Sequence, residues 1–336
     1  MGFLSSLFTC FSEEPEDEEE WNISFDLRTL QVSTNFFSES NFLGDGGYGR
    51  LYKGLMPNGQ EVAVRKFSEW CVPLNFRNEM KLLIEIYHEN LVTLLGYCEE
   101  GSGRMLVYEY LPNGSLDNFL FDKDKFSCLD WTTRFRIVKG VARGLLYLHE
   151  EVPGSGTIIH SSICARKILL DEKFNPKISD FGIAKLFPEK STYVNVSMIS
   201  GVLGYMAPEL MHGYLSAKAD VFSFGILVLE IVSGIKAWLA EANESLLENS
   251  WKLYKEGKSL ELVDSNLSQY NCEEAAKCIQ IGLLCCEESH KYRPDMKSVN
   301  LMLSSESSTL PTPISISMED DESICCLSVS SYDEGR

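Results

Sequence analysis

The stretch Thr157–Gly182 reads TIIHSSICARKILLDEKFNPKISDFG, and the whole chain is organised around it. A loop opens at His160. Ile168-Leu169-Leu170-Asp171 follows as a short apolar strand, and Asp180-Phe181-Gly182 closes the stretch. The side chains that set the loop's chemistry are Ser161, Ser162, Cys164 and Lys167. Ser162 carries no negative charge near neutral pH, and no neighbouring acid stands ready to take a proton. Lys167 brings a positive charge towards Asp180, which is left as a lone acid able to ligate a hard cation.

Outward from this stretch, 336 residues with 44% hydrophobic content are enough for one large core with short tails. A formal net charge of −19 argues against a nucleic-acid partner. The eleven cysteines are scattered, and the adjacent pairs Cys285-Cys286 and Cys325-Cys326 lack zinc-site spacing, so they read as reduced thiols. No apolar run is long enough to span a membrane.

Gly44-x-Gly46-x-x-Gly49 alone fits a dinucleotide-binding turn or a phosphate-covering hairpin. Leu51-Tyr52 continues as strand, Pro57-Asn58-Gly59-Gln60 makes a tight turn, and Glu61–Phe67 alternates as the return strand, so the hairpin is expected. Its glycines let backbone approach phosphates without a Cβ. On the return strand Arg65 and Lys66 point to opposite faces, so one cannot stand in for the other. FRNEMKLLIEI carries Glu79 on a helix, and a salt bridge Arg65–Glu79 is expected. Two more strands lead to Glu109, and Trp131–His149 is an amphipathic helix with Ile137, Val141, Leu145 and Leu148 on its apolar stripe.

In this order, the glycine loop, Ala63-Val64-Arg65, Glu79, Asp180-Phe181-Gly182, Ala207-Pro208-Glu209, Asp220-Val221-Phe222-Ser223-Phe224-Gly225 and Arg293-Pro294 resemble the kinase domain of plant receptor-like and receptor-like cytoplasmic protein kinases over about residues 25–303. The resemblance implies an α+β bilobal protein-kinase fold. The small antiparallel lobe with its helix C would cover about 25–109, and the mainly helical lobe about 110–303. It places nucleotide at Gly44, Gly46, Gly49, Leu51, Ala63, Arg65, Glu79, Glu109, Leu111, Leu169 and Asp180, with Tyr108 guarding the back of the pocket. It gives His160, Phe181, Gly182, Glu209, Asp220 and Arg293 structural roles, the last pairing with Glu209. The chain departs from the family where chemistry is done. Ser161 replaces the loop Arg, Ser162 the catalytic Asp, Cys164 the loop Lys, Lys167 the metal-binding Asn, Arg65 the strand Lys, and Val202 a substrate-positioning Thr.

These departures lead to an expected pseudokinase with no intact catalytic residue. It would bind ATP weakly with little use of Mg²⁺ (Asp180 being at best a weak ligand), and that binding would fix the angle between the lobes and so the surface offered to a partner kinase. A slow ATP-dependent Ser/Thr kinase and an interaction module that binds no nucleotide are the alternatives. MGFLSSLFTCF fits myristoylation at Gly2 with a second acyl group at Cys10. That start implies the cytoplasmic face of the plasma membrane, with receptor-like or cytoplasmic kinases as partners. The acid run 13–20 completes a lipidated acidic segment over 1–24, and the Ser- and acid-rich tail 304–336 is expected to be disordered. A polar stretch with Ser191, Thr192, Tyr193, Ser197 and Ser200 follows Gly182, and phosphorylation there, with Thr192 as the test case, is expected to come from another kinase and to switch weakly.

Overall fold

The computed structural model describes residues 24–46, 48–68, 73–101, 103–122, 129–154, 156–187, 193–195, 201–238, 245–305 and 309–314. Gly2, Cys10, Ser191, Thr192, Ser197, Ser200 and the far end of the tail lie outside them.

The chain enters through helix α1 (Leu27–Ser33), whose N-terminal cap is the Asp26 carboxylate accepting the Thr29 N–H at 2.8 Å. Five antiparallel strands follow: β1 (Phe42–Gly46), β2 (Gly49–Leu55), β3 (Glu61–Phe67), β4 (Leu94–Glu100) and β5 (Gly103–Glu109). They form one sheet in the order β1-β2-β3-β5-β4. The β2–β3 turn closes with Gly59 N–H on the Met56 carbonyl at 2.8 Å, where Gly59 takes φ 83°.

Strand alternation divides this sheet between two cores. Val62 and Val64 of β3 face Leu30 of α1 together with Met105 and Val107. Ala63 and Phe67 face the main core, where Phe67 meets Phe76 of helix α2 (Pro73–Glu85) edge to face. Arg65 shares this second face. Lys66 lies on the other, its ammonium 4.7 Å from the Phe37 ring centroid, as a two-residue side-chain period requires.

The larger lobe starts at α3 (Asp117–Leu120) and α4 (Trp131–Leu146). Ile137, Val141, Leu145 and Leu148 are all fully buried. The α-helix stops at Leu146, and the chain widens into a π turn at Tyr147–Glu151, shorter than the helix to His149 that the periodicity implies. There the His149 ring reaches Asp220 at 3.1 Å, and the His149 carbonyl accepts from Thr157 Oγ1.

Short strands β6 (Thr157–Ile159), β7 (Ile168–Leu170), β8 (Pro176–Ile178) and β9 (Lys185–Phe187) pair as β6–β9 and β7–β8, and carry the loop and turn of the site. Two-residue strands β10 (Val194–Asn195) and β11 (Tyr214–Leu215) flank the segment beyond. Helix α5 (Ala217–Ser233) is buried on every side from Ala219 onward and packs on α7 (Cys272–Cys285), with α6 (Leu246–Lys255) and α8 (Met296–Ser304) around it. A helix that is apolar all round belongs in the middle of a large domain.

The tail departs from expectation in its first part. Leu310 packs on the main core, Gln280 holds the Pro311 carbonyl at 2.8 Å, and the Ile314 N–H meets the Glu287 carboxylate at 2.7 Å. Residues 309–314 therefore lie along α7 as an ordered strap, because an apolar Leu310 and a buried Pro313 find a surface there. No helix among the described residues is long and apolar enough to cross a membrane.

Candidate active site

Asp220, at the start of α5, builds the loop from beneath. Its buried carboxylate accepts the His160 N–H at 2.7 Å, the Ser161 N–H at 2.8 Å and the His149 ring at 3.1 Å. These donors hold Ser161 at φ 67°, a left-handed conformation that a non-glycine residue keeps only when its surroundings fix it. His160 turns inward, Nε2 donating to the Ser179 carbonyl at 3.0 Å and its ring edge-on to Phe181 at 4.9 Å. Burial, with Lys167 nearby, lowers its pKa to about 4, so the ring is neutral and Nδ1 is an acceptor.

The side chains at the centre form a connected row. Lys167 Nζ donates to Ser162 Oγ at 2.6 Å and pairs with Asp180 Oδ2 at 2.8 Å. Ser162 Oγ in turn lies 3.4 Å from His160 Nδ1. On the other side of Asp180, Arg65 places one guanidinium nitrogen 3.1 Å from Oδ1 and 3.0 Å from Glu79 Oε2. Both oxygens of Asp180 thus face cations. Burial would raise this carboxyl, but Arg65 and Lys167 outweigh it and hold the group at about 2. Glu79 is wholly buried, which raises its pKa against the pull of Arg65, and it also accepts the Tyr108 hydroxyl at 2.9 Å.

The Arg65–Glu79 pair forms at the expected place, but it is not isolated, because the same nitrogen also serves Asp180. Arg65 Nε is buried and has no hydrogen-bond partner among the described residues. It lies beneath the glycine loop, since a Cβ built on Gly46 would stand 3.7 Å from it. Gly49 is required for another reason than phosphate approach. A Cβ there would run into the Lys66 carbonyl and come within 2.8 Å of Phe67 Cα, so strand β3 itself demands the glycine. Gly44 lies in β1, with open space where its Cβ would be.

Ala63 and Leu111 are buried in the main core, and Leu51 and Leu169 are partly buried against it. The Glu109 N–H donates to the Thr93 carbonyl at 3.1 Å, a contact made by the end of β5 crossing the segment before β4. The Leu111 carbonyl accepts from Gly114 at 3.1 Å. Cys164 is buried, and burial pushes its thiol up, which makes it unreactive. Away from the centre, Arg293 grips Glu209 with two parallel bonds of 2.6 and 2.8 Å.

Three features of the site escape a reading of spacing. Asn78, one residue before Glu79, donates to three carbonyls of the segment 181–184. The Tyr48 ring covers Gly182, where a Cβ would meet it at 3.0 Å. Glu230 of α5, buried with Tyr205 as hydroxyl donor, is pushed up by burial to about 7. For Asn78 and Glu230 the only sequence signal is a polar residue where the helix pattern asks for an apolar one, and Tyr48 in the glycine loop carries none.

The sequence pattern that defines the protein tyrosine and serine/threonine kinase family matches residues 37–303. The chain belongs to that family. The curated proteins it is similar to include several from Arabidopsis thaliana. It is 47% identical to cysteine-rich receptor-like protein kinase 10 over 300 residues, 87% of this chain and 44% of that protein. Cysteine-rich receptor-like protein kinase 29 is 45% identical over 319 residues, 92% of this chain and 47% of that protein. Cysteine-rich receptor-like protein kinase 28 is 47% identical over 310 residues, 89% and 45% respectively. The chain spans less than half the length of these relatives. It is a protein-kinase-fold signalling protein related to receptor-like kinases, a family that binds ATP with Mg²⁺.

Proposed function

We propose that this chain is a pseudokinase that binds nucleotide weakly and without a metal ion. It serves as a scaffold or allosteric partner for receptor-like kinases. One observation carries the reading: both oxygens of Asp180 are engaged by cations, Arg65 at 3.1 Å and Lys167 at 2.8 Å. A divalent cation needs several oxygen donors, and a single carboxylate flanked by two positive charges does not suit it. Among the described residues no group of three or more His, Cys, Asp or Glu side chains gathers for a metal. An anion suits the site better. Arg65 Nε is a donor under the glycine loop with no partner among the described residues, and Ala63, Leu51 and Leu169 offer apolar walls to a purine.

Phosphoryl transfer in this family rests on metal ions, positioning, and a carboxylate that accepts the proton of the attacking hydroxyl. Here Ser162 stands at that place, accepting from Lys167 and lying against a neutral His160. The hydroxyl can neither take up a proton readily nor neutralise developing positive charge. Removing a general base costs roughly 10²–10⁴ in rate. Purified full-length chain given radiolabelled ATP with Mg²⁺ or Mn²⁺ should show no transfer to itself or to a general substrate protein. Robust autophosphorylation that vanishes in Asp180→Ala would overturn the reading.

A slow Ser/Thr kinase is the second reading. It is favoured by the relatives' names, which say protein kinase, and the same assay separates the two. The membrane part of the proposal stands on Gly2 and Cys10. One myristoyl chain gives only marginal binding, about 10⁴ M⁻¹, so both acyl groups are needed. Gly2→Ala should move the protein from membrane to soluble fractions, and an unchanged distribution would end the lipidation proposal.

A further inference from the structure

Helix α2 and the turn from Asp180 to Ala184 are tied by more than ion pairs. The Asn78 side-chain nitrogen reaches the carbonyl oxygens of Phe181 at 3.1 Å, Gly182 at 3.2 Å and Ala184 at 2.9 Å. An amide NH₂ has fewer protons than these acceptors, so at least one bond is shared, and the group is fully committed to the turn. Arg65 supplies a second tie, one nitrogen bridging Glu79 of α2 and Asp180 of the turn. The glycine loop supplies a third surface, with Tyr48 laid on Gly182 and Asn75 of α2 close behind it.

The turn itself is strained. Asp180 holds φ 70°, and the Ala184 N–H closes back on the Phe181 carbonyl at 3.0 Å. A left-handed non-glycine residue persists where its surroundings over-determine it. Asn78 and Arg65 are those surroundings. They approach from two different elements and hold the turn at both ends.

We propose that Asn78 and Arg65 clamp the Asp180–Ala184 turn onto helix α2. The closed arrangement of the lobes, and the surface it offers a partner, is then set by the chain's own side chains and not by nucleotide. This rests on the pseudokinase reading and adds that nucleotide is not its switch. A ligand shifts a conformational equilibrium only by its differential affinity for the two states. Where the clamp already holds the closed state, nucleotide has little left to shift. Asn78 is thus a positioning residue, acting on the turn through its backbone.

Hydrogen exchange on the full chain tests this, with and without saturating ATP. Unaltered protein should show α2 and residues 180–187 protected without nucleotide, and ATP should slow their exchange by less than about twofold. Asn78→Ala should raise exchange there roughly tenfold, with α5 and α7 unchanged, and should make the same segment respond to ATP. Asn78→Asp should be worse, because a carboxylate faces three carbonyl oxygens. The proposal fails if the turn in the unaltered protein exchanges freely until ATP is added. It fails equally if Asn78→Ala leaves the turn unchanged, or if it loosens α5 and α7 as much, which would mark a merely structural residue. Should the variant not fold, the unaltered protein with and without ATP still decides. Phosphoryl transfer in the radiolabel assay would end the pseudokinase reading without altering this exchange pattern, so the two failures are distinct.

Discussion

Two arginines in this molecule are buried against glutamates, and they are partnered in opposite ways. Arg293 meets Glu209 through both terminal nitrogens, and its remaining N–H groups go to the carbonyls of Glu287, Lys218 and Glu288. Arg65 spends one nitrogen on two acids, Glu79 and Asp180, and leaves Nε without a partner among the described residues. A saturated guanidinium is a structural part whose every bond is used. One with a spare buried donor keeps the capacity to bind an acceptor. The saturated pair joins elements of the large lobe, while the unsaturated one joins strand β3 and helix α2 to the Asp180 turn.

The largest effect should follow from breaking the saturated pair. Arg293→Met leaves Glu209 buried and uncompensated, which costs about 3–5 kcal/mol. Arg65→Lys keeps a charge that can reach Glu79, so no buried acid is left unpaired and the loss should be smaller. Thermal unfolding of both variants checks this. Equal losses would erase the distinction between the two arginines.

Glu230 sharpens the comparison, because it is a buried acid with no arginine at all. Its hydrogen bonds come from neutral donors, the Tyr205 hydroxyl and the Ala237 N–H at 2.7 Å. With a folded pKa of about 7 against 4.5 unfolded, the native state binds the extra proton between these values. Stability therefore falls as pH rises through that window, by roughly 3 kcal/mol in all. His160 works the other way: lowered to about 4 from 6.5, it costs stability as pH falls through its own window. The two nearly cancel in the unaltered chain. Glu230→Gln should expose the His160 trend, gaining relative to the unaltered protein at pH 8 but little at pH 5. Denaturant unfolding at both values measures it, and an equal change at the two would remove Glu230 as the cause.

What could be read in advance follows from which physical rule governs each residue. Arg65 and Lys66 were separable because side chains alternate on a strand, and Lys66 indeed lies over Phe37 on the far face. The buried stripe Ile137, Val141, Leu145, Leu148 was legible because helical periodicity is a local property. The Arg293–Glu209 pair was legible from motif order alone. Asn78 was not, since its three acceptors lie more than 100 residues away and carry no side-chain signature. The bond from the Glu109 N–H to Thr93 is likewise a tertiary crossing of backbone. The strap 309–314 was hidden by composition, a few apolar and proline residues within a Ser- and acid-rich tail. Glu230 needed the depth of burial, which no spacing reveals.

A smaller effect should come from the second cation on Asp180. Lys167→Asn frees Oδ2 and restores a neutral oxygen donor beside it, so Mg²⁺ should strengthen ATP binding roughly tenfold more than in the unaltered chain. Catalysis should not return, because Ser162 still supplies no base. Calorimetric titration of ATP with Mg²⁺ and with EDTA separates these outcomes. Tight, Mg²⁺-requiring binding in the unaltered protein would show that Lys167 does not displace the metal.

The smallest effect expected is from phosphorylation of the loop after Gly182. In related kinases the loop Arg before the catalytic position captures such a phosphate, an implication of the family resemblance, and here that position is Ser161. A phosphate adds close to two negative charges and orders a segment only where a guanidinium or ammonium meets it. Ser161 offers a hydroxyl 3.5 Å from the Ile159 carbonyl, and its backbone is already fixed by Asp220. Modification of Thr192 by a partner kinase should therefore change hydrogen exchange in the flanking β9 and β10 by less than about twofold. Ser161→Arg supplies the missing cation and should convert the same phosphate into an ordering signal, slowing exchange several-fold. If phosphorylated Thr192 orders the loop strongly while Ser161 is in place, a cation elsewhere in the chain does the capturing.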